Sequence, residues 1–222
     1  CPTGIYKDLK SPVLANVSIT QMADHFVSEL ATGINGTGIR AGFVKTSCNE
    51  SGATRKEVGI LRAAAIAAKQ TGAALGFHGP EAKTTRNVVK IMEKEGFKLE
   101  RFVWAHAQVS TLDDNKRMAD RGAFLQYDAI GAHTDQFFGR PTSDAAMLER
   151  LGKMAEGGYE NQIMLSTDAA VSINPPEFQY DRDNAYLYRY FEQKLKQRIG
   201  ARRTRKILRD NVVAAFRQPT KL

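Results

Sequence analysis

Short apolar segments alternate with longer helix-like stretches along most of this chain, and this alternation restricts the fold more than any other feature. Apolar runs of this length are typical of strands that are buried on both faces of a parallel sheet. Five such segments span residues 41–45 (AGFVK), 73–78 (AALGFH), 102–106 (FVWAH), 123–128 (AFLQYD) and 162–168 (QIMLSTD). The sequence therefore predicts repeated βα units.

The stretches between these segments carry apolar residues at helical spacing, and glycine ends most of them. Gly72, Gly96 and Gly122 follow three predicted helices, where a left-handed residue commonly ends a helix. A fourth begins at the N-cap candidate Ser143 and stops at the pair 157–158. The predicted helices span residues 18–33, 55–71, 83–96, 111–121, 143–157, 181–198 and 202–217, and residues 1–4 are expected to be the tail of a preceding strand.

Length and composition agree with one globular domain over residues 1–222. A chain of 222 residues that is 42% apolar has enough material for one sizeable core. No apolar run approaches the roughly 20 residues that a membrane helix needs, so no membrane partner is expected. Two cysteines are too few for a disulfide framework and are compatible with the cytoplasm.

Much of the net charge of +8 lies between Arg189 and Arg209. Apolar residues are interleaved with these bases, as in amphipathic helices with a solvated cationic face. No nucleic-acid-reading motif accompanies the charge, so no nucleic-acid partner is expected. A basic nucleic-acid binder is the third hypothesis, and it predicts an affinity that falls steeply with salt.

Four of the five predicted strands end in an ionisable residue: Lys45, His78, His106 and Asp168. The carboxyl ends of barrel strands meet at one mouth, so these residues are expected to be neighbours. Imidazole and carboxylate groups are ligands for zinc-like ions, although a single histidine is more often a packing residue and an aspartate often caps a turn.

Lys45 follows an apolar run, where an unpaired ammonium would be costly to bury. A neutral lysine amine can react with carbon dioxide to give a carbamate, an anionic ligand that can bridge two metal ions. A lysine that extends its charged end to solvent is the commoner alternative.

Residues 38–45 (GIRAGFVK) resemble the sequence around the carboxylated lysine of the phosphotriesterase family, in the amidohydrolase superfamily. Further similarity lies in residues 1–6, 122–131 and 206–216. The resemblance implies an α/β fold, a TIM (β/α)8 barrel, present here from the end of strand three through strand eight and the C-terminal helices. The family's first strand, with its His-x-His pair, is not recognisable, so we expect an N-terminally truncated barrel.

The resemblance also implies roles for the four strand-end residues. Lys45, as its N6-carboxylated form, would bridge two divalent metal ions. His78 and His106 would hold the second ion, while Asp168 would hold the first and act as the catalytic proton shuttle. Zinc is the expected metal, with manganese, iron and cobalt as alternatives.

The activity implied is hydrolysis of a small-molecule lactone, carboxylester or phosphoester by a metal-activated hydroxide. The residues after His106 and Asp128 differ from the proton relay of organophosphate-degrading members. Residues 126–131 (QYDAIG) are similar to the phosphotriesterase-homology branch, which favours lactone or carboxylester hydrolysis. The alternative function is a degenerate or incomplete barrel that binds a ligand without catalysis, and a homodimer is one option for assembly.

Several other residues are candidates for the surroundings of the site. Asp128 is expected to form hydrogen bonds behind the metal ligands or, with equal weight, to cap the loop after its strand. His133 is expected in the pocket. Wall candidates, for which barrel packing is the commoner role, are Trp104, Tyr127, Phe137 and Phe138. Cys48, three residues beyond Lys45, is expected to face the site without a nucleophilic role.

Overall fold

A computed structural model describes residues 1–7, 16–79, 81–131, 136–137, 139–168 and 185–218. Its main element is a parallel sheet of five strands, which confirms the predicted βα repeat. In sheet order the strands are β1 (Val44–Ser47), β2 (Leu75–His78), β3 (Phe102–Ala105), β4 (Phe124–Tyr127) and β7 (Ile163–Leu165). A short antiparallel pair, β5 (Gln136–Phe137) and β6 (Arg140–Pro141), lies between β4 and β7 in the chain.

The five strands lie side by side in the order of the chain, as in an arc of a TIM barrel. Thr3 extends this arc by one parallel bridge to Val44, where the tail of a preceding strand was predicted. Its backbone N–H donates to Phe43 O at 2.9 Å, and Lys45 N–H donates to Thr3 O at 2.8 Å. The segment before β1 therefore fixes the backbone of the lysine predicted to be a ligand.

Helices separate the strands close to the predicted positions. They are α1 (Ile19–Ala31), α2 (Arg55–Thr71), α3 (Ala82–Lys94), α4 (Leu112–Ala119), α5 (Asp144–Glu156), α6 (Glu192–Ile199), α7 (Ala201–Arg205) and α8 (Asn211–Phe216). Short 3₁₀ turns span Ile34–Gly36, Leu99–Arg101 and Ala107–Val109. A π-helical turn, Leu187–Phe191, precedes α6, and another, Lys206–Asp210, joins α7 to α8, so the predicted helix 202–217 contains a wider turn. Among the described residues, no helix is long and apolar enough to cross a membrane.

The predicted helix ends agree with the backbone. Gly72, Gly96 and Gly122 all have positive φ, and after α5 it is Gly158, with φ 84°, that takes this conformation. Ser143 caps α5 by accepting a hydrogen bond from the backbone N–H of Ala146. The glycine and N-cap signals therefore predicted where each βα unit turns.

The two faces of the sheet pack against different partners because successive strand residues point to opposite sides. One face joins the helices in the main core and contributes Leu75, Phe77, Phe102, Trp104, Leu125 and Tyr127. On the other face, Val103 and Met164 pack against Ala215 of α8. The C-terminal end is held there by Arg101, which donates to the carbonyls of Ala214, Ala215 and Arg217.

Candidate active site

A cleft of about 240 Å³ opens at the carboxyl ends of the strands. Its lining comprises Tyr6, Lys45, His78, Ala105, His106, Gln126, Asp128 and Asp168. The fold therefore brings all four predicted ligands and Asp128 to one place. A larger depression of about 570 Å³ lies between the starts of α1 and α2, but neither histidine nor a carboxylate lines it, so the smaller cleft is the better chemical candidate.

Lys45 is the second residue of β1, two residues before the last one, whereas the sequence predicted it as the last residue of the strand. Its side chain extends toward β2, where Gly76 leaves room. A Cβ added to Gly76 would lie 3.4 Å from Lys45 Cδ and 3.3 Å from a ring carbon of Phe43. Gly4 has φ 112°, and a Cβ there would collide with Lys45 O. Two glycines thus allow close packing around the lysine.

Burial lowers the pKa of Lys45 below its ordinary value. Attraction to the carboxylates of Asp128 and then Asp168 acts in the opposite direction, but desolvation has the larger effect. The neutral amine, which is the nucleophilic form of lysine, is therefore more accessible at Lys45 than at a solvated lysine.

The imidazoles of His78 and His106 meet inside the cleft. His78 Nδ1 and His106 Nε2 are 2.7 Å apart, and the two rings are nearly perpendicular, with an interplanar angle of 78°. Burial, the neighbouring His106 and the charge of Lys45 lower the pKa of His78 to about 4. His78 is therefore neutral near pH 7. One of the two facing nitrogens donates a hydrogen bond to the other, and both point into the cleft.

Asp128 holds His106 at two points. Its Oδ1 lies 2.7 Å from His106 Nδ1, and its Oδ2 accepts the backbone N–H of His106 at 3.0 Å. This second bond supports a left-handed backbone at His106, with φ 62° and ψ 27°, which is unfavourable for a residue with a side chain. Asp128 is completely buried, so an ionised carboxylate there favours the tautomer with a proton on Nδ1, in which Nε2 accepts from His78 Nδ1.

Two glutamines, which the sequence did not mark as functional residues, also contact this carboxylate. Gln108 donates to Asp128 Oδ1 at 2.7 Å, and Gln126 donates to Oδ2 at the longer distance of 3.4 Å. The period of two along β4 places Gln126 on the same face as Asp128, so that neighbour was predictable. Gln108 lies in a 3₁₀ turn, where strand periodicity gives no such signal.

Tyr6 is another lining residue that the residue types did not single out. Its ring packs edge-on against His78, with centroids 5.4 Å apart. Tyr6 follows the predicted tail of the strand before β1, which pairs with β1 through Thr3. Residues after that strand reach the same mouth, so its position in the chain could have predicted Tyr6 as a lining residue.

Asp168 lies three residues beyond Leu165, the last residue of β7, so the predicted strand 162–168 was too long at its end. It is exposed and has a left-handed backbone with φ 50°. Its backbone N–H donates to Ser166 Oγ at 3.2 Å. The carboxylate lines the cleft on the side opposite β1 in sheet order.

The other candidates have different outcomes. Trp104 and Tyr127 are fully buried in the main core, which agrees with the packing alternative. Cys48 lies in the same core and does not line the cleft, so the expectation that it faces the site was wrong. Burial raises the pKa of its thiol to about 11, which disfavours the thiolate. His133, Phe138 and the side chain of Phe137 lie outside the described residues.

Within the described ranges, no group of three or more histidine, cysteine, aspartate or glutamate side chains is gathered closely enough to hold a metal ion. A metal centre in this cleft would therefore need a donor of another residue type, and Lys45, Tyr6 and Gln126 are the polar lining residues of other types.

Comparison with known proteins gives consistent matches. The sequence model of the phosphotriesterase family matches residues 1–216. The aryldialkylphosphatase of Saccharolobus solfataricus is 31% identical over 175 residues, covering 78% of this chain and 54% of that protein. The N-acetyltaurine hydrolase of Tetraodon nigroviridis is 26% identical over 203 residues, covering 88% and 58% respectively.

Among solved structures, the phosphotriesterase homology protein of Escherichia coli, crystallised with phosphate in its active site, superposes with a TM-score of 0.82. The match has 26% sequence identity and covers 96% of this chain and 72% of that one. This chain thus has the TIM-barrel fold of that protein, and it spans about half the length of the curated relatives it matches.

Proposed function

The chain belongs to the phosphotriesterase family, and on that premise we propose that the protein is a metal-dependent hydrolase of small-molecule esters whose active site is the cleft at the carboxyl ends of the strands. The observation that carries the proposal is the convergence of His78 Nδ1 and His106 Nε2, 2.7 Å apart, in a cleft that Lys45 and Asp168 also line.

The donor set fits divalent metal ions in four respects. His78 is neutral near pH 7, and the contact of Asp128 with His106 Nδ1 favours the tautomer whose Nε2 can donate a lone pair. The lowered pKa of Lys45 favours the neutral amine that can take up carbon dioxide as a carbamate. Asp168 adds a carboxylate from the far side of the cleft. Mixed imidazole and carboxylate donors suit zinc, with manganese, iron and cobalt as alternatives.

Each residue has a proposed part in the reaction. Carboxylated Lys45 and Asp168 would hold one ion of a pair, and carboxylated Lys45 with His78 and His106 the other. Such ions supply a hydroxide nucleophile and polarise the oxygen of the substrate. Asp168 is the proposed catalytic residue because its exposed carboxylate, at the mouth of the cleft, can accept a proton and pass it to water.

The proposed substrates are lactones and carboxylesters, ahead of phosphoesters. Ala107 and Gln108 follow His106 where organophosphate-degrading members have acidic residues, so the proton relay of those members is missing from these positions. One relative is named for hydrolysis of a phosphoester. Another is named for hydrolysis of an acylated amine, so attack on a carbonyl carbon, as in lactones and carboxylesters, has support among the relatives. At about 240 Å³ the cleft is smaller than most small-molecule pockets, which favours a compact substrate.

Elemental analysis of the purified protein in bicarbonate buffer tests the metal centre. About two ions per chain are expected in the wild type, as in a two-metal hydrolase site. Lys45→Ala should lower the metal content, whereas Lys90→Ala, which removes an exposed lysine of α3, should leave it unchanged. Loaded protein would then be assayed with a lactone, an aryl carboxylester and a dialkyl aryl phosphate.

The competing function is a non-catalytic binding protein built on the same barrel. A wild-type protein that binds none of zinc, manganese, iron and cobalt in bicarbonate would contradict the hydrolase proposal and favour that alternative. Full metal content in Lys45→Ala would contradict the bridging role of the lysine while leaving the histidines as ligands.

A further inference from the structure

We propose that Gln108 is a positioning residue that fixes the ring of His106 by clamping Asp128, so that Nε2 of His106 faces the cleft without a proton. The inference rests on the proposed function only in treating His106 as a ligand. The hydrogen bonds that carry it belong to the protein itself.

The clamp consists of two hydrogen bonds in opposite directions. The side-chain amide of Gln108 donates to Asp128 Oδ1 at 2.7 Å, and the side-chain oxygen of Gln108 accepts the backbone N–H of Asp128 at 3.2 Å. The oxygen that receives the amide proton is the one that faces His106 Nδ1 at 2.7 Å. Gln108 therefore holds both the side chain and the backbone of the residue that orients His106.

A neutral amide of this length can make both bonds, because it carries a donor and an acceptor. A carboxylate at the same place would put two anionic oxygens at hydrogen-bond distance in a buried site, which is unfavourable unless a proton is added. An apolar side chain would leave Asp128 N–H without its acceptor. Gln108 is 1% exposed and Asp128 is fully buried, so water has poor access to replace either bond.

The position of Gln108 in the chain strengthens the clamp. It lies in the 3₁₀ turn Ala107–Val109, which starts immediately after the left-handed His106. Asp128 accepts the backbone N–H at the start of this turn, and Gln108 binds Asp128 from within it. The turn and the carboxylate thus close a set of hydrogen bonds beside His106, and rotating the imidazole would break its 2.7 Å contact with the Asp128 Oδ1 that this set holds in place.

The tautomer of His106 in metal-free protein is the direct test. Nitrogen-15 NMR of the histidine side chains distinguishes protonated from bare ring nitrogens, and four histidines make assignment tractable. The expected result in the wild type is a protonated Nδ1 and a bare Nε2 at His106. A proton on Nε2, with Nδ1 bare, would overturn the inference without any variant.

Gln108→Met keeps the length of the side chain and removes both hydrogen bonds. We expect a mixture of His106 tautomers and a zinc affinity about 10–100-fold lower, the usual effect of losing a partner behind a metal ligand. Gln126→Met is the matched control because that glutamine makes only one long bond to the same carboxylate, and it should preserve the tautomer.

The outcomes separate this inference from the proposed function. An unchanged His106 tautomer in Gln108→Met would overturn the role of Gln108. So would a mixture of His106 tautomers in Gln126→Met equal to that in Gln108→Met. The expected tautomers in a wild-type protein that binds no metal would support the clamp and reject the hydrolase. If Gln108→Met fails to fold, the wild-type tautomer and hydrogen exchange of the Asp128 backbone N–H decide, and rapid exchange of that proton would overturn the clamp.

Discussion

The two sides of the cleft are built differently. The histidine corner, formed by His78, His106 and Asp128, is largely buried, with His106 4% and Asp128 0% exposed, and hydrogen bonds of 2.7 Å join its members. On the other side, Lys45 is partly buried and Asp168 is exposed. Burial demands satisfied hydrogen bonds, so the histidine corner is held in place by the fold itself.

Sheet topology explains the contrast. The corner residues come from the adjacent strands β2, β3 and β4, whose register pairs His78 with Ala105 and Ala105 with Gln126. Lys45 is on β1 and Asp168 follows β7, at opposite ends of the strand order. Neighbouring parallel strands bring side chains together without a ligand. Side chains from the two ends of the strand order do not hold each other in place through strand pairing. In the proposed centre, the metal ions would connect them.

Removing Asp128 should have the largest effect on stability. In Asp128→Ala, the backbone N–H and Nδ1 of His106 and the amide of Gln108 lose a buried acceptor. Each such group costs about 1–3 kcal/mol, so urea unfolding should show a loss of at least about 3 kcal/mol. Asp113→Ala, which removes an exposed aspartate in the first turn of α4, should cost less than about 1 kcal/mol. Equal losses of stability in Asp128→Ala and Asp113→Ala would mean that the histidine corner is no more firmly held than an exposed helix turn.

Acid should weaken the histidine corner next. In the metal-free protein the pKa of His78 is about 4, below its ordinary value of 6.5. The unfolded chain therefore binds the proton first as the pH falls, and stability should decrease from about pH 6.5 to about pH 4. Solvent screening at this half-buried ring makes the loss smaller than that in Asp128→Ala.

Urea unfolding across this pH range measures the effect in the presence of a chelator. His78→Gln should flatten the profile, whereas His25→Gln, at an imidazole that is 62% exposed, should leave it unchanged. A wild-type profile that is flat between pH 6.5 and pH 4 would mean that solvent reaches His78 freely, and the corner would then be less rigid than its contacts indicate.

The left-handed backbone of His106 gives a smaller effect of defined sign. His106→Gly and His106→Ala both remove the imidazole, but only alanine retains the steric cost of φ 62°. That cost is about 1–2 kcal/mol and exceeds the roughly 0.5–1 kcal/mol of chain entropy that glycine adds, so the glycine variant should be the more stable by about 0.5–1 kcal/mol.

Ser110 provides the matched comparison because its φ is −86°. There the alanine variant should be more stable than the glycine variant, measured by the same urea unfolding. If the alanine variant were the more stable one at both positions, the turn after β3 would relax once the imidazole is removed. The hydrogen bonds of the imidazole would then be what imposes the left-handed conformation on His106.

Much of this architecture was predictable from local signals. Apolar runs predicted the five parallel strands, and glycines such as Gly72 and Gly122 predicted the helix ends, because both signals act over a few residues. The shared mouth of the strands predicted that Lys45, His78, His106 and Asp168 would meet.

What could not be predicted depends on turns and on exact strand ends. The strand containing Lys45 continues to Ser47, and that before Asp168 stops at Leu165, since pairing with neighbouring strands sets these limits. The clamp of Gln108 on Asp128 joins residues 20 positions apart through a left-handed turn, and no period in the sequence reports such a contact.

The smallest effect on stability is expected at Lys45 and Asp168, on which metal binding in the proposed centre depends. Lys45→Met removes an ammonium whose burial is unfavourable, as its lowered pKa indicates, and keeps a side chain of similar length. Urea unfolding of metal-free protein should therefore change by less than about 1 kcal/mol, while bound metal falls toward zero. Asp168→Asn, at an exposed carboxylate, should leave stability similarly unchanged, and it should remove only the ion that Asp168 holds. A loss of stability as large as that of Asp128→Ala would instead make Lys45 a structural residue, and the two sides of the cleft would then be equally fixed by the fold.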